Sequence, residues 1–385
     1  MEMDIYRKVQ EQLDQYSIGF PATESGVEIE ILKLLFTEEE AQLFSRMTGE
    51  PETPESVAAR TGLPAAELAE ELEKMALKGL LFRDRRDEAV KYSAIPFIHG
   101  LLEFQALSMP KELVRLTGNY IREKLKENLS GGRPAKSHGS AGDGGKKSKS
   151  GGGMRVLPVQ ESVDVQHRVA SYDDAHGILK NEPLLVVADC SCRLQRKQFD
   201  RACEAPMEAC IMVGPMAVYY LDNKMGRQIS LEEAMQIIAS CHEAGLITQT
   251  QTITRPFMIC NCCKCCCGFL GAVRRTATPA RLVTSNHRAV VSTDSCTGCN
   301  ICTGKCQLDA LSINDEGIAE VDYDRCIGCG LCAPACPEDA LFLAPKPEED
   351  RHIPTENLHQ QMTRIRKQRG AKHVDRGQIV SYGFE

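Results

Sequence analysis

Cys296-Thr297-Gly298-Cys299-Asn300-Ile301-Cys302-Thr303-Gly304-Lys305-Cys306 decides the reading of this chain. Cys326-Ile327-Gly328-Cys329-Gly330-Leu331-Cys332-Ala333-Pro334-Ala335-Cys336 repeats it, with Pro337 after the last thiol. Both runs are spaced C-x2-C-x2-C-x3-C. Three thiolates at i, i+3 and i+6 on a tight, glycine-containing loop can cap three corners of one iron–sulfur cubane, and the fourth corner must come from elsewhere. Zinc sites also use paired C-x2-C. Eight thiols at this doubled spacing suit cubanes better. Ala310-Leu311-Ser312-Ile313 and Ala340-Leu341-Phe342-Leu343 follow the two runs at matching positions, which points to an internal pseudo-two-fold. No proton-transfer or nucleophilic machinery is visible here, so by itself this segment reads as a relay.

Residues 286–345 resemble the two-cluster bacterial-type ferredoxins. In that family the fourth cysteine of each run ligates the other cluster. Carried over, the resemblance implies one [4Fe–4S] cluster on Cys296, Cys299, Cys302 and Cys336, and a second on Cys326, Cys329, Cys332 and Cys306. Each would carry one electron at a time. One position departs from the family: Gln307 stands where it usually has proline.

Working outward, the chain holds 19 cysteines in 385 residues, with net charge −7. The opening stretch MEMDIYRKVQEQLDQYSIGF has no apolar core and no cleavage site. No run of 18 apolar residues suggests a membrane span. A cytoplasmic, reducing location is therefore expected, where dense cysteine means metal rather than disulfides. Exposed thiolate clusters further suggest an anaerobic cell.

Residues 154–285 hold eleven of the cysteines in irregular groups. Leu184-Leu185-Val186-Val187-Ala188-Asp189 reads as a buried strand that delivers Cys190 and Cys192 at its end. Cys203 and Cys210 follow, weaker as ligands because loop cysteines this far apart could instead form a redox pair. Ser230-Leu231-Glu232-Glu233 opens a helix that runs to Gly245. Cys241 shares its face with Ala234 and Ile238 and reads as an inert core thiol. Then come Cys260, Cys262, Cys263, Cys265, Cys266 and Cys267, six thiols in eight residues. They cannot all face one metal. In an extended chain Cys260, Cys262 and Cys266 point one way and Cys263, Cys265 and Cys267 the other. In a coil, Cys262/Cys266 and Cys263/Cys267 pair. Cys190 and Cys192 with some of this set could hold a third iron–sulfur cluster, a zinc ion, or a redox-active thiol site. Arg193, Arg196 and Lys197 would offset the thiolate charge.

Residues 1–128 contain no cysteine and read as a winged helix-turn-helix. Thr37 to Glu40 has capping-box spacing, Thr53-Pro54 starts a helix ending near Gly62, and Leu63-Pro64 opens another bearing Leu68, Leu72, Met75, Ala76 and Leu80. Residues 81–83 and 90–92 would form the wing. The second helix carries Glu67, Glu70, Glu71 and Glu73, which argues against DNA and for a protein-docking or structural role. Residues 129–153 read as a flexible Gly/Ser/Lys tether. Residues 346–385 read as a polar tail whose Arg364, Arg366, Lys367, Arg369, Lys372 and Arg376, with Asp375, form either a basic docking arm or a solvated helix.

The strand-end C-x-C-R, the C-N-C-C-x-C-C-C run and Gly19-Phe20-Pro21-Ala22-Thr23-Glu24-Ser25-Gly26 together resemble a family of ferredoxin-type proteins of anaerobic bacteria. That likeness implies the domain order and supplies no reaction. The fold class expected is α+β and multi-domain. Three functions compete: an electron-transfer protein serving a partner oxidoreductase, a reductase with its centre in 154–285, and a redox-responsive regulator. No G-x-G-x-x-G and no P-loop is present, so electrons would come from a protein redox partner.

Overall fold

The computed structural model describes residues 4–16, 19–86, 88–125, 153–163 and 169–369. The tether, apart from Gly153, and Lys372, Asp375 and Arg376 lie outside the described residues. The chain is mixed helix and sheet.

Five helices come first: α1 (Ile5–Leu13), α2 (Val27–Leu35), α3 (Glu38–Phe44), α4 (Pro54–Thr61) and α5 (Ala65–Leu77). The Thr37 hydroxyl accepts from the Glu40 amide at 3.2 Å, while the Glu40 carboxylate accepts from the Thr37 amide at 2.8 Å. Both donors would otherwise be orphaned at the start of α3. Thr53 caps α4 ahead of Pro54, and Gly62 ends it at φ 75°, where glycine has no Cβ to strain. Helix α5 buries Leu68, Leu72, Met75 and Ala76. The hairpin β1 (Phe82–Asp84) and β2 (Lys91–Ser93) follows, each strand one residue later than the sequence pattern placed it. Helix α6 (Lys111–Tyr120) completes this region.

The next region is built on one antiparallel sheet of six strands. They are β3 (Met154–Val156), β4 (Leu185–Asp189), β5 (Glu208–Val213), β6 (Arg227–Ile229), β7 (Ile247–Gln251) and β8 (Met258–Cys262), in spatial order β3-β7-β8-β5-β4-β6. Helices α7 (Ser191–Lys197), α8 (Gly214–Asp222) and α9 (Leu231–Glu243) connect them. Side chains alternate across a strand. Leu185, Val187, Ile211, Val213 and Ile259 therefore pack under α9 with Ala234 and Ile238. Val186, Ala188, Met212 and Met258 face the N-terminal helices. Cys241 is fully buried on α9, and burial pushes its thiol up to about 11.

Helix α10 (Gly268–Arg274) leads to strands β9 (His287–Val291), β10 (Leu311–Ile313), β11 (Ala319–Val321) and β12 (Leu341–Pro345), with α11 (Ile301–Lys305) between the first two. Strand β9 pairs with β12 and β10 with β11, both antiparallel. The tail, read as polar, forms α12 (Leu358–Arg369) and buries Leu358, Met362 and Ile365. Among the described residues, no helix is long and apolar enough to cross a membrane.

The N-terminal helices and the six-stranded sheet share one continuous apolar cluster. Tyr219 of α8 stacks on Phe82 and Phe104, with ring centroids 5.3 and 4.2 Å away, and its hydroxyl donates to the Ala76 carbonyl at 2.8 Å. Buried Arg83 pairs with Glu73 at 2.6 Å and with Asp222 at 3.3 Å. Because Tyr219 sits at the junction, Tyr219→Ala is expected to lower stability by about 3–5 kcal/mol through cavity and transfer terms. The check is chemical denaturation of the full chain: a loss below about 1 kcal/mol would show that the two regions are not coupled there.

Candidate metal centres

The two four-cysteine runs adopt matching backbones. Gly298 and Gly328 lie at φ 66° and 64°, Asn300 and Gly330 at 65° and 84°, and Asp309 and Asp339 at 54° and 48°. These left-handed turns fold each loop tightly, at backbone angles that glycine adopts without strain. A Cβ at Gly298 would overlap the Gly317 carbonyl, and one at Gly328 the His287 carbonyl. The pattern also repeats in hydrogen bonds: the Ala310 amide donates to Cys306 Sγ at 3.2 Å, and the Ala340 amide to Cys336 Sγ at 3.3 Å.

Two cages result. One is lined by Cys296, Cys299, Cys302 and Cys336, together with Ile313, Ala319 and Leu341. The other is lined by Cys306, Cys326, Cys329 and Cys332, together with Ile327, Leu331 and Leu343. Each gathers three thiols of one run and the last thiol of the other. Four thiols in an apolar wall, with backbone N–H donors on sulfur, suit an iron–sulfur cluster. Cys299 is exposed, whereas burial raises the Cys329 thiol to about 12. The cage of Cys296 is therefore the outer one.

Gln307, the departure from family pattern, has a structural job. Its Oε1 accepts from the Lys264 amide at 3.1 Å and its Nε2 donates to the Gly245 carbonyl at 2.8 Å. Proline could make neither bond. The side chain fastens the inner cage to the 260–267 segment, where Cys262 and Cys267 share an apolar cluster with Cys306 and Cys329.

That segment does not divide as alternation suggests. Strand β8 ends at Cys262, and the chain turns before Cys267 caps α10 by accepting from the Leu270 amide at 3.3 Å. The turn exchanges Cys266 and Cys267 between the two sides. Cys260, Cys262 and Cys267 join Cys190, Cys192 and Cys210. Cys263, Cys265 and Cys266 join Cys203. Cys210 is not in a loop but on β5, directly opposite Cys260 of β8, and it is not paired with Cys203.

The first six thiols form a closed ring. Cys190 neighbours Cys192 and Cys210, Cys192 neighbours Cys267, Cys267 neighbours Cys262, Cys262 neighbours Cys260, and Cys260 neighbours Cys210. The neighbouring Cys210 and Cys262 thiols pull Cys260 down to about 6, while Cys192 beside it pushes Cys190 well up. The ring opens on a chamber of about 580 Å³ between the sheet and the N-terminal helices. Gln249 and Gln251 line it from β7 with side-chain amides that have no hydrogen-bond partner among the described residues. Helix α12 closes one side with Leu358 and Met362.

His99 and Glu103 line the chamber from the N-terminal region, which sequence reasoning left without any metal-site or catalytic residue. Only the unusual His99-Gly100 backbone, with His99 at φ 61°, marks the place, and no sequence pattern announces it. Both are half-buried on the chamber wall. Burial lowers the His99 imidazole to about 4, and burial followed by the Cys192 charge raises the Glu103 carboxyl to about 8.

Comparison with known proteins adds the following. Residues 319–342 match the family described as 4Fe-4S binding domain. A "Probable ferredoxin" of Methanosarcina thermophila is 53% identical over 34 residues, 9% of this chain and 59% of that protein. The chain thus spans less than two thirds of that relative's length. No solved structure matches. These matches support iron–sulfur binding in the C-terminal part of the chain.

Glu103 generates a pH prediction. Folded, it keeps its proton up to about 8; unfolded, it releases it near the usual ~4.3. The native state therefore binds the extra proton in that window, and wild-type stability falls as pH rises through it. The melting temperature of Glu103→Gln minus that of wild type should grow from pH ~5 to ~8 and level off beyond. A difference independent of pH would mean Glu103 is already ionised at neutrality.

Proposed function

We propose that this chain is an electron-transfer protein with two [4Fe–4S] clusters, which relays single electrons between a protein redox partner and the thiol chamber. Each cluster supplies one reversible electron. The observation that carries the reading is the shared apolar cluster in which Cys306 and Cys329 of the inner cage meet Cys262 and Cys267 of the ring. The outer cage is the partner-facing end, because Cys299 and Ile301 are exposed there. Apolar packing around the inner cage excludes water, and Gln307 holds the cage against the ring.

The ligand sets follow the cages: Cys296, Cys299, Cys302 and Cys336 hold one cluster, and Cys326, Cys329, Cys332 and Cys306 the other. The chamber favours the reductase reading as the second one, since a relay alone needs no cavity beside its thiols. The regulator reading is weaker. The wing cations Arg83 and Arg85 are engaged by Glu73 and Asp222, and Lys74 by Glu70 and Glu71, so they are unavailable to phosphate. The N-terminal helices serve instead as a wall of the chamber.

The test uses full-length protein purified without oxygen. The two cages should contribute about eight iron atoms and eight sulfides. On reduction, the paramagnetic spectrum of Cys306→Ser should match that of Cys329→Ser and differ from that of Cys299→Ser. A Cys306→Ser spectrum like that of Cys299→Ser would overturn the crossed ligation, and zinc without sulfide would overturn the clusters.

A further inference from the structure

Cys203, Cys263, Cys265 and Cys266 form a set distinct from both cages and from the ring, with Cys265 and Cys266 also on the chamber wall. Their four sulfurs all lie within 4.8 Å of one another. The spacings are 3.6 Å for Cys203–Cys263, 3.7 Å for Cys203–Cys266 and 3.8 Å for Cys265–Cys266. A disulfide would need sulfurs about 2.05 Å apart. A single metal ion with metal–sulfur bonds of about 2.3 Å in a tetrahedron sets its ligand sulfurs about 3.8 Å apart. A cubane attaches its thiolates outside its own corners, so they spread further. Among the described residues this is the one set of ligating side chains gathered so closely, and the ferredoxin cages are wider.

We infer that these four cysteines hold one tetrahedral zinc ion, separate from any iron–sulfur centre of the chain. The donor set is all thiolate and four-fold, with no position left open, which is the pattern of a structural zinc site. Binding is a proton exchange with no redox step: four S–H bonds break, four zinc–sulfur bonds form, and four protons leave to solvent. The resulting site carries a charge of −2. Arg193 offsets part of it: its side chain is fully buried, its guanidinium reaches Cys263 Sγ at 3.8 Å, and it donates to the Pro206 carbonyl. The Cys203 amide donates to Cys266 Sγ at 3.5 Å, as amides around ligating sulfur do.

The ion positions the neighbouring ring. Cys263 directly follows Cys262, and Cys266 directly precedes Cys267, so clamping the first and last of 263–266 sets where both ring thiols point. Cys203 ties the same turn to the segment between α7 and β5. Zinc thus holds in place the sulfurs that meet the inner cage, without carrying electrons itself.

The experiment takes full-length protein, purified anaerobically, and measures zinc, iron and sulfide per chain. About one zinc is expected. Cys203→Ser combined with Cys265→Ser should lower it at least tenfold, while ferredoxin iron and its visible absorption stay at wild-type level and report that the chain is folded. In wild type, Cys265 is exposed, yet its alkylation by iodoacetamide, read by peptide mass spectrometry, should be slow until a zinc chelator is added. Cobalt(II) in place of zinc should give the intense visible bands of a tetrahedral thiolate site. Loss of iron and sulfide instead of zinc in the double variant would overturn the inference. So would wild-type protein without zinc whose Cys265 is alkylated at once. Neither result bears on the eight ferredoxin irons, so failure here and failure of the relay are told apart.

Discussion

Sulfur packed against sulfur inside a protein sets the terms for the rest of this chain. Several thiols within a few ångströms cannot all ionise without a cation among them, because burial and mutual repulsion hold the protons on. Every cysteine except Cys241 sits in such a company: two cages of four, a ring of six and a tight set of four. Arg193 is the fully buried cation placed among the middle thiols, and burial opposes its charge while Cys190, Cys203 and Cys263 favour it. One arginine is too little for ten thiols. The fold therefore makes sense as a scaffold for metal, with helices, sheet and loops arranged so that thiolates are presented in sets.

The order of those sets gives direction. The outer cage has an exposed thiol, the inner cage is walled by Ile327, Leu331 and Leu343, and the ring lies behind it across a shared apolar cluster. Gln307 is a polar fastening in that junction, using both ends of its amide. The ring then faces a chamber whose far wall comes from the N-terminal helices. Tyr219, Arg83 and Asp222 dock that wall onto the sheet, which explains why a region without cysteines is fused into the same core as the thiols. The N-terminal region contributes His99, whose imidazole is pulled down by burial, and Glu103, whose carboxyl is pushed up by burial and by Cys192, both beside that thiol.

Much of this was legible in the residues alone. The spacing of Cys296 to Cys306 and Cys326 to Cys336 announces its loops because the reach of a cluster corner is a local matter of three residues. Capping at Thr37, Thr53 and Ser230, the strand ending at Asp189 and the buried face holding Cys241 were legible for the same reason: each depends on neighbours in the chain. The tail was misread as polar because Leu358, Met362 and Ile365 are too sparse to announce an apolar face without the chamber they cover.

Pairings across the fold could not be read this way. Cys210 meets Cys260 only because β5 and β8 are neighbours in register, and Cys203 meets Cys266 only because the loop after α7 folds back over the turn after β8. The exchange of Cys266 with Cys267 depends on where β8 stops, which sheet hydrogen bonding decides. His99 and Glu103 come from a segment some ninety residues before the nearest thiol in sequence. The sequence by itself determined that thiolates come in sets and that one pair of sets has ferredoxin spacing, since those are short-range facts of chain geometry. Only the tertiary structure decided which of the middle thiols stand together and what faces them, because contact between distant segments is settled by the packing of whole elements.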